Sequence, residues 1–332
     1  MKPLTILFNT YPVAFDCPGG GEVQLLKYKE ALEGLGLRVL CYDPWRPKEQ
    51  FDAADMVHYF SVHGGSWHFC RYVHKVRGLP LVISPSIWID NHDKYGMKEI
   101  NGILRMADRI LPNSQAECEQ LAALCNVDPN LFTPIVNGVD DIFFDKAPPE
   151  LFRQHFGIHE PFVLCMGNIE ERKNQLRLIQ ALAGAGICLV LAGQDREAGY
   201  AARCRASADS SVHFIGMLEH GSAMQRSAYA AAEAFVLPST LETPGLAALE
   251  AAAVGCRLAI TREGCTKEYF QDFAEYLEPY DVSSIRQAVL NALRREKNAA
   301  LPLYIRERYT WRRAAEQLVA VYQNVANYFL LL

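Results

Sequence analysis

The sequence lacks features that would assign it to several large classes of proteins. Its 332 residues carry 33 Lys and Arg against 38 Asp and Glu, a net charge of −5, so the basic surface typical of a nucleic-acid-binding domain is missing. No apolar run approaches the ~18 residues of a membrane span, and the opening MKPLTILF is too short for a signal-peptide core. The ten cysteines form no CxxC pair and no zinc spacing with histidine, which favours reduced thiols. We therefore expect a cytoplasmic protein without a nucleic-acid partner.

Two common phosphate-binding motifs are also missing. No GxGxxG occurs in the chain, which disfavours a dinucleotide-dependent dehydrogenase. The stretch GMLEHGS at 216–222 has two glycines but no following lysine, which disfavours a P-loop kinase. We expect any nucleotide site in this chain to follow another design.

Short apolar runs alternate with helical patterns along most of the chain, which is typical of parallel βαβ units. A helix is predicted over 22–35, and the predicted strands cover residues 4–9, 38–43, 56–60, 81–86, 109–114, 132–138, 162–167, 188–193, 212–216, 234–239 and 257–261. The pattern is interrupted by a polar, proline-containing stretch near 141–158. We therefore predict an α/β protein of two doubly wound domains.

The predicted domains comprise residues 1–145 and 146–309, followed by one amphipathic helix over 310–332, with Thr310 as its N-cap. Two such domains facing each other would form a central cleft. Ligands of open parallel sheets bind beyond the carboxyl ends of the strands. Polar residues that follow predicted strands are therefore the candidates for a site.

The stretch STLETPGLAALEAAAVG at 239–255 predicts a helix start that suits an anion. Thr243 is a good N-cap, and Pro244 suits the first helical position because its missing N–H would be unpaired there. Gly245 leaves room for close approach of a ligand. A helix N-terminus with free N–H groups attracts phosphate.

Two glutamates flank this helix start. Glu242 precedes the helix and Glu250 lies about two turns inside it, which separates them by on the order of 10 Å along the axis. A diphosphate on the helix end, with one carboxylate accepting hydroxyl hydrogen bonds on each side, would match the layout of a nucleotide-sugar. The alternative is a partly exposed helix with two solvated glutamates.

Two further candidate segments each follow the first predicted strand of one of the two domains. In GNIEERKN at 167–174, Arg172 and Lys173 would neutralise the same diphosphate; the alternative is a solvated loop. In CPGGGEV at 17–23, three glycines would let the backbone approach a phosphate or sugar; the alternative is a plain tight turn.

Taken together, the motifs resemble those of GT-B-fold retaining glycosyltransferases of family 4, the glycosyl transferases group 1, and the resemblance runs nearly end to end. Each motif is weak alone, but their order and spacing are specific. The segments that carry the resemblance are PGGGEV, ADRILPNS, PIVNGVD, RKN, PSTLETPGLAALEAAAVG, REGCTKEYF and YTWRRAAEQLVAVY.

The resemblance implies a GT-B fold of two Rossmann-like domains, with an acceptor-binding first domain, a donor-binding second domain and a final helix that returns to the first. It implies transfer of a sugar from a UDP- or GDP-sugar to an acceptor hydroxyl, with retention, in glycan, polysaccharide or glycolipid biosynthesis. No DxD occurs in the chain, which disfavours the metal-dependent design. We therefore expect no metal and no cofactor, the nucleotide-sugar being a co-substrate.

The resemblance also implies roles for individual residues. Glu250 would hold the ribose and Glu242 would lie near the sugar, while Arg172 and Lys173 would stabilise the leaving diphosphate. Backbone amides would add to this effect. The further donor-binding candidates are Gly20, Gly21, Asn168, Gly193, Met217, Leu218, Thr243, Pro244, Gly245 and Leu246.

Two positions depart from the family pattern. Asn168 stands where members often have an arginine after glycine. Arg172, beside Lys173, would therefore take over the role of that arginine at the diphosphate. Ser86 stands in the slot where many members have a histidine of the catalytic region. His63, in FSVHGG after the third predicted strand, is a candidate substitute; the alternative is a structural or exposed histidine.

Acceptor and membrane predictions rest on the first domain. The acceptor would be a sugar or a lipid-linked glycan. The stretch SWHFCRYVHKVRG at 66–78 mixes basic and aromatic residues, which suits peripheral contact with the inner face of a membrane; the alternative is an ordinary amphipathic surface helix. The chain gives no signal for an oligomeric state.

Two other functions share the predicted fold. One is a sugar-nucleotide epimerase or hydrolase, which would need further carboxylates in the cleft. The other is a catalytically weak nucleotide-sugar-binding partner protein, for which Asn168 and Ser86 would be signs of lost catalysis.

Overall fold

The fold described here is that of a computed structural model, and the structure describes residues 4–16 and 19–329. Cys17 and Pro18 of the predicted glycine-rich loop lie outside the described residues, as do residues 330–332 of the predicted final helix. Within the described part of the chain, no helix is long and apolar enough to cross a membrane.

The chain divides into two units. Unit 1 runs to Gly138 and resumes at Trp311, and unit 2 comprises Val139–Thr310. The chain thus passes from unit 1 to unit 2 after Gly138, before the predicted domain boundary at residue 145. The reason is that a 3₁₀ turn, Asp141–Phe144, packs within unit 2, where the guanidinium of Arg306 lies 4.6 Å from the centre of the Phe144 ring.

Unit 1 contains a five-stranded parallel sheet in the order β2-β1-β3-β4-β5. From β1 the chain adds β2 on one side of the sheet and β3, β4 and β5 on the other. The strand order therefore reverses between β1 and β3, and that place is the topological switch point. Its elements are β1 (Thr5–Thr10), α1 (Gly20–Gly34), β2 (Arg38–Cys41), α2 (Pro47–Ala53), β3 (Met56–Phe60), α3 (Ser66–Tyr72), β4 (Leu81–Ser84), α4 (Met97–Leu104), β5 (Arg109–Ile110) and α5 (Gln115–Cys125).

The predicted strand over 132–138 is wrong. In that stretch Phe132 makes an isolated parallel bridge with Ile110, and Thr133 donates its backbone N–H to the carbonyl oxygen of Ile110 at 2.9 Å. Ile135 continues the alternation by donating to the carbonyl oxygen of Pro112 at 2.8 Å, but Pro112 has no N–H to donate in return. The segment therefore follows β5 without becoming a strand.

Unit 2 contains a six-stranded parallel sheet in the order β11-β10-β9-β6-β7-β8. Its elements are α6 (Pro149–Phe156), β6 (Phe162–Met166), α7 (Gln175–Leu182), β7 (Cys188–Ala192), α8 (Ala198–Ser207), β8 (Val212–Gly216), α9 (Ala223–Ala231), β9 (Ala234–Leu237), α10 (Leu246–Val254), β10 (Arg257–Thr261), α11 (Thr266–Phe270), β11 (Ala274–Leu277), α12 (Val282–Arg294) and α13 (Ala300–Arg308). The predicted linker over 141–158 is therefore largely folded, because α6 buries Phe152.

The central strands of unit 2 are apolar throughout, as expected where helices cover both faces of a sheet. Every residue of β6, β7 and β9 is buried. Strand order reverses between β6 and β9, so the loops that follow Met166 and Leu237 emerge side by side. This switch point is where a doubly wound sheet binds its ligand.

The last helix, α14 (Trp311–Phe329), packs within unit 1. Trp311 meets the ring of Tyr28 edge-on at 5.8 Å, and the hydroxyl of Tyr322 lies 2.6 Å from Nδ1 of His58 in β3. Nε2 of His58 lies 2.9 Å from the hydroxyl of Ser84 in β4. Complete burial lowers the pKa of His58 to about 3, so this histidine is neutral at physiological pH.

Candidate functional site

An ion pair lies at the switch point of unit 2. Nζ of Lys173, which follows β6, is 2.6 Å from Oε1 of Glu242, which follows β9. A guanidinium nitrogen of Arg172 lies 3.6 Å from the same oxygen. The carboxylate is nearly buried, at 6% side-chain exposure, whereas Arg172 is half exposed. The structure thus brings together Arg172, Lys173 and Glu242, which are three of the four residues predicted to be catalytic.

The charge state of Glu242 follows from its surroundings. Burial raises the pKa of the carboxyl, but the charges of Lys173 and Arg172 and the hydrogen bond from Lys173 lower it by more, so the pKa lies below its ordinary value of 4.5. Glu242 is therefore an anion at neutral pH, held by two cations.

Asn174 holds the turn that carries the two cations. Arg172 and Lys173 lie in a 3₁₀ turn, and Asn174 ends it in the left-handed conformation, at φ 62°. The buried side-chain amide of Asn174 donates to the carbonyl oxygens of Pro238 at 2.9 Å and Pro279 at 2.7 Å. No role for Asn174 was predicted from the sequence. The tolerance of asparagine for a left-handed conformation is the signal that could have indicated its place at the end of this turn.

Gly264 positions the backbone of Glu242. Glu242 donates its N–H to the carbonyl oxygen of Glu263 at 3.2 Å and accepts from the N–H of Cys265 at 3.1 Å. A Cβ on Gly264 would lie 2.1 Å from the carbonyl oxygen of Glu242, and Gly264 has φ +91°. The loop after β10 therefore approaches Glu242 as closely as only glycine allows.

The helix after Glu242 starts later than predicted. Gly245, at φ 93°, precedes α10, whose first residue is Leu246. Thr243 is therefore not the N-cap and Pro244 is not the first helical residue, because the left-handed turn at Gly245 separates them from the helix. A Cβ on Gly245 would lie 2.8 Å from Cδ2 of Leu237 and 3.3 Å from Oε2 of Glu242, so glycine is needed here for the close approach of these two side chains, and its predicted room for a ligand stays a prediction.

Glu250 is the fifth residue of α10, about one turn inside the helix rather than two. Its Oε2 accepts hydrogen bonds from the hydroxyl of Tyr229 at 2.7 Å and the amide of Gln225 at 3.1 Å. Its Oε1 lies 3.0 Å from Nε2 of His220. These three partners were missed, because side chains from α9 and the loop before it approach α10 only after folding.

The other predicted donor-binding residues of unit 2 lie in loops after strands. The carbonyl oxygen of Asn168 accepts a hydrogen bond from the side chain of Gln175 at 2.8 Å. A Cβ on Gly193 would lie 1.9 Å from the carbonyl oxygen of Gly167, so Gly193 allows the loops after β6 and β7 to touch. Met217 is 69% exposed and, with half-buried Leu218, follows β8.

The predicted residues of unit 1 lie after β1, β3 and β4. Gly20 and Gly21 are the first two residues of α1, where the carboxylate of Glu22 accepts from the N–H of Gly19 at 2.7 Å. His63 has an exposed side chain, in the loop after β3. Ser86 adopts φ 48°. Their predicted roles stay predictions.

The predicted basic aromatic helix is shorter than expected. It ends as an α-helix at Tyr72 and continues as a π turn over Val73–Arg77. Trp67 and Phe69 pack against the core of unit 1, and the guanidinium of Arg77 pairs with Asp52 at 2.7 Å. Trp67 and Phe69 are thus partly buried inside the unit, whereas Tyr72 is 41% exposed, and membrane contact stays a prediction.

Known proteins resemble this chain in sequence and in fold. Residues 150–308 match the model of the family "Glycosyl transferases group 1". The chain is 26% identical over 254 residues to D-inositol 3-phosphate glycosyltransferase of Geodermatophilus obscurus, covering 68% of this chain and 54% of that protein. It is 25% identical over 234 residues to the enzyme of the same name from Mycolicibacterium smegmatis, covering 67% of this chain and 54% of that protein. The chain thus spans about half the length of these curated relatives.

Solved structures match over almost the whole chain. HepE of Anabaena, crystallised with UDP and glucose, has a TM-score of 0.78 at 16% identity and covers 97% of this chain and 100% of its own. Sucrose-phosphate synthase of Thermosynechococcus elongatus has a TM-score of 0.78 at 18% identity, with 97% and 99% covered. At these identities the likeness shows the fold, and the prediction of an α/β protein with the GT-B fold is confirmed.

Proposed function

We propose that the chain is a retaining glycosyltransferase of family 4, which moves a sugar from a nucleoside-diphosphate sugar to an acceptor hydroxyl. The observation that carries the proposal is the pair of Lys173 and Glu242, 2.6 Å apart, at the switch point of the sheet and directly before the turn into α10. The match of residues 150–308 to the glycosyl transferases group 1 model supports it.

We propose that the donor diphosphate lies on the first turn of α10. The first N–H groups of a helix have no intrahelical partners, and the helix dipole favours an anion there. Lys173 has three N–H donors, and its hydrogen bond to Glu242 uses one. The remaining donors, with those of Arg172, would stabilise the negative charge that grows on the diphosphate as its bond to the sugar breaks.

The two glutamates would grip the two ends of the donor. Oε2 of Glu242 faces Gly245, and we propose that it accepts a hydroxyl hydrogen bond from the sugar. At Glu250, Oε2 already has two protein partners, whereas Oε1 contacts His220, whose side chain is 46% exposed. We propose that a ribose hydroxyl binds Oε1, with His220 sharing or yielding the position.

The proposed chemistry uses protein cations where other sugar transferases use a metal ion. Lys173 and Arg172 stand beside the carboxylate and the helix start, and the sequence contains no DxD. We therefore propose that turnover needs neither a metal nor a cofactor. A test is turnover after treatment with a strong chelator, which should retain its full rate; loss of turnover that returns with Mg²⁺ or Mn²⁺ would contradict this.

The names of the related proteins suggest which donors to test first. HepE of Anabaena was crystallised with UDP and glucose and with UDP-glucose, which makes a UDP-sugar the first choice, followed by GDP- and ADP-sugars. We propose a sugar or a lipid-linked glycan as acceptor, and a role in glycan, polysaccharide or glycolipid biosynthesis.

The decisive experiment measures nucleotide release from this panel of donors with and without candidate acceptors. Release that requires an acceptor, with a glycosylated product of retained anomeric configuration, is the expected result. Release without acceptor would instead indicate a hydrolase or epimerase, and binding without turnover would indicate a nucleotide-sugar-binding partner protein. Glu242→Gln and Lys173→Ala should each abolish turnover; near-normal activity in both would refute the site.

A further inference from the structure

A second cluster of chemically active side chains lies at the amino ends of the unit 2 strands, opposite the carboxyl ends where Lys173 and Glu242 lie. Glu160 precedes β6, Cys188 is the first residue of β7 and His213 is the second residue of β8. One ligand atom from each lies within 4.8 Å of the other two. Because parallel strands start at one edge of a sheet, the fold gathers three residues that are far apart in sequence.

His213 supplies an independent sign of a ligand. Its Nε2 atom is shielded from solvent and has no hydrogen-bond partner in the part of the chain that the structure describes. The atom lies 3.8 Å from Oε1 of Glu160, which is too far for a hydrogen bond. Two ligands at zinc distances of about 2.0 to 2.2 Å, in tetrahedral geometry, lie about 3.4 Å apart. A small movement of the exposed Glu160 side chain would bring both atoms onto one ion.

The donor set indicates which ion. Cys188 offers sulfur, His213 nitrogen and Glu160 oxygen, and this combination suits Zn²⁺ better than Ca²⁺ or Mg²⁺, which prefer oxygen ligands. The thiol of Cys188 would bind as thiolate, so its proton would pass to solvent when the metal binds. Three protein ligands leave the fourth tetrahedral position to water.

Arg153 is the positively charged residue near this cluster, and its guanidinium group already has partners within the protein. Arg153 donates to the carbonyl oxygens of His159 at 2.9 Å and Glu160 at 3.0 Å, and its guanidinium lies 5.5 Å from the centre of the Phe162 ring. These contacts hold the backbone of the segment that carries Glu160. They engage the carbonyl oxygen of Glu160, whereas its carboxylate has the thiol of Cys188 as a hydrogen-bond partner, an interaction that a metal ion bound by both groups would replace.

We propose that Glu160, Cys188 and His213 form a zinc-binding site. The strands between this edge and the carboxyl edge are five residues long, which corresponds to about 16 Å. The ion would therefore not touch the donor. It would tie the edge strand β8 to β7 and to the segment before β6, and so stabilise unit 2.

The test is a zinc titration of tag-free, chelator-stripped protein in competition with a chromophoric chelator. The expected result is one zinc per chain, with affinity lowered at least about tenfold in each of Cys188→Ser, His213→Gln and Glu160→Gln. Cys41→Ser, which removes an exposed thiol of unit 1, is the matched control and should bind as the wild type does.

Co²⁺ gives a second readout that identifies the ligand. Substitution by Co²⁺ should produce a near-ultraviolet thiolate charge-transfer band in the wild type, and the band should be absent in Cys188→Ser. Because Glu160 is exposed, Glu160→Gln keeps the test informative if another variant fails to fold. Zinc affinity that is equal in the wild type and Glu160→Gln, or a charge-transfer band that survives in Cys188→Ser, would overturn the proposal.

Discussion

Replacing Lys173 by methionine would leave the buried carboxylate of Glu242 without its closest cation. At the 2.6 Å separation of the two charged atoms, the gross attraction is about 6 kcal/mol for an effective dielectric constant of about 20. Removing one partner of a buried pair destabilises a protein by about 3–5 kcal/mol. Because half-exposed Arg172 remains 3.6 Å away, we expect the lower end, a loss of about 3 kcal/mol from the free energy of unfolding of unit 2.

The opposite change, Glu242→Gln, should destabilise less, because the flexible lysine side chain can turn to solvent. The double variant Lys173→Met/Glu242→Gln should then recover part of the loss. We expect a coupling energy of about 2 kcal/mol between the two positions. Lys48→Met, an exposed lysine of α2, is the matched control and should change stability by less than about 0.5 kcal/mol.

The chain itself allows the two units to be followed separately during urea unfolding. All four tryptophans, at positions 45, 67, 88 and 311, belong to unit 1. Tryptophan fluorescence therefore reports on unit 1, and the part of the circular dichroism change that fluorescence does not follow reports on unit 2. Strictly additive effects of the two substitutions, or a loss confined to the fluorescence transition, would refute the reasoning.

Three further predictions follow from local geometry. Gly245→Ala should destabilise unit 2 by about 1–3 kcal/mol and abolish turnover, whereas Gly199→Ala, where a methyl group meets open space, should leave both unchanged. Asn174→Gly keeps the left-handed turn but removes two buried hydrogen bonds, so the rate should fall while the fold, measured by circular dichroism, persists; an unchanged rate would contradict the positioning role. The pKa of His58 is lowered from 6.5 to about 3, so between these two pH values the unfolded state binds more protons than the folded state. The free energy of unfolding should therefore fall by up to about 1.4 kcal/mol for each pH unit by which the pH is lowered below 6.5. His58→Gln should flatten this slope in tryptophan fluorescence, and an equal slope in both proteins would contradict the assignment.

Much of the fold was readable from the sequence because its signals are local. Buried parallel strands appear as short apolar runs, and strands such as β3 and β10 fall where the runs predict them. Two of the failures have identifiable backbone causes. Pro112 has no N–H to donate to the apolar run at 132–138, which otherwise has the pattern of a strand, and the turn at Gly245 delays the helix start that Thr243 and Pro244 predict.

The site was readable only in part. Adjacent cations after one strand and a glutamate after another predicted that Lys173 and Glu242 lie at one site; their direct ion pair was not predicted. The supporting residues could not be found in this way. Gly264 acts through backbone approach, and Asn174 and Tyr229 act through side-chain contacts with distant parts of the chain; neither kind of contact leaves a spacing in the sequence.

The central claim is that a nucleoside diphosphate binds at the start of α10 with Lys173 as its cation. A crystal structure of the complex with UDP tests it most directly. The account predicts the diphosphate within hydrogen-bond distance of Nζ of Lys173 and of the backbone N–H groups beside Gly245, with a ribose hydroxyl on Glu250. Diphosphate bound elsewhere, with protein side chains occupying that helix start, would contradict it.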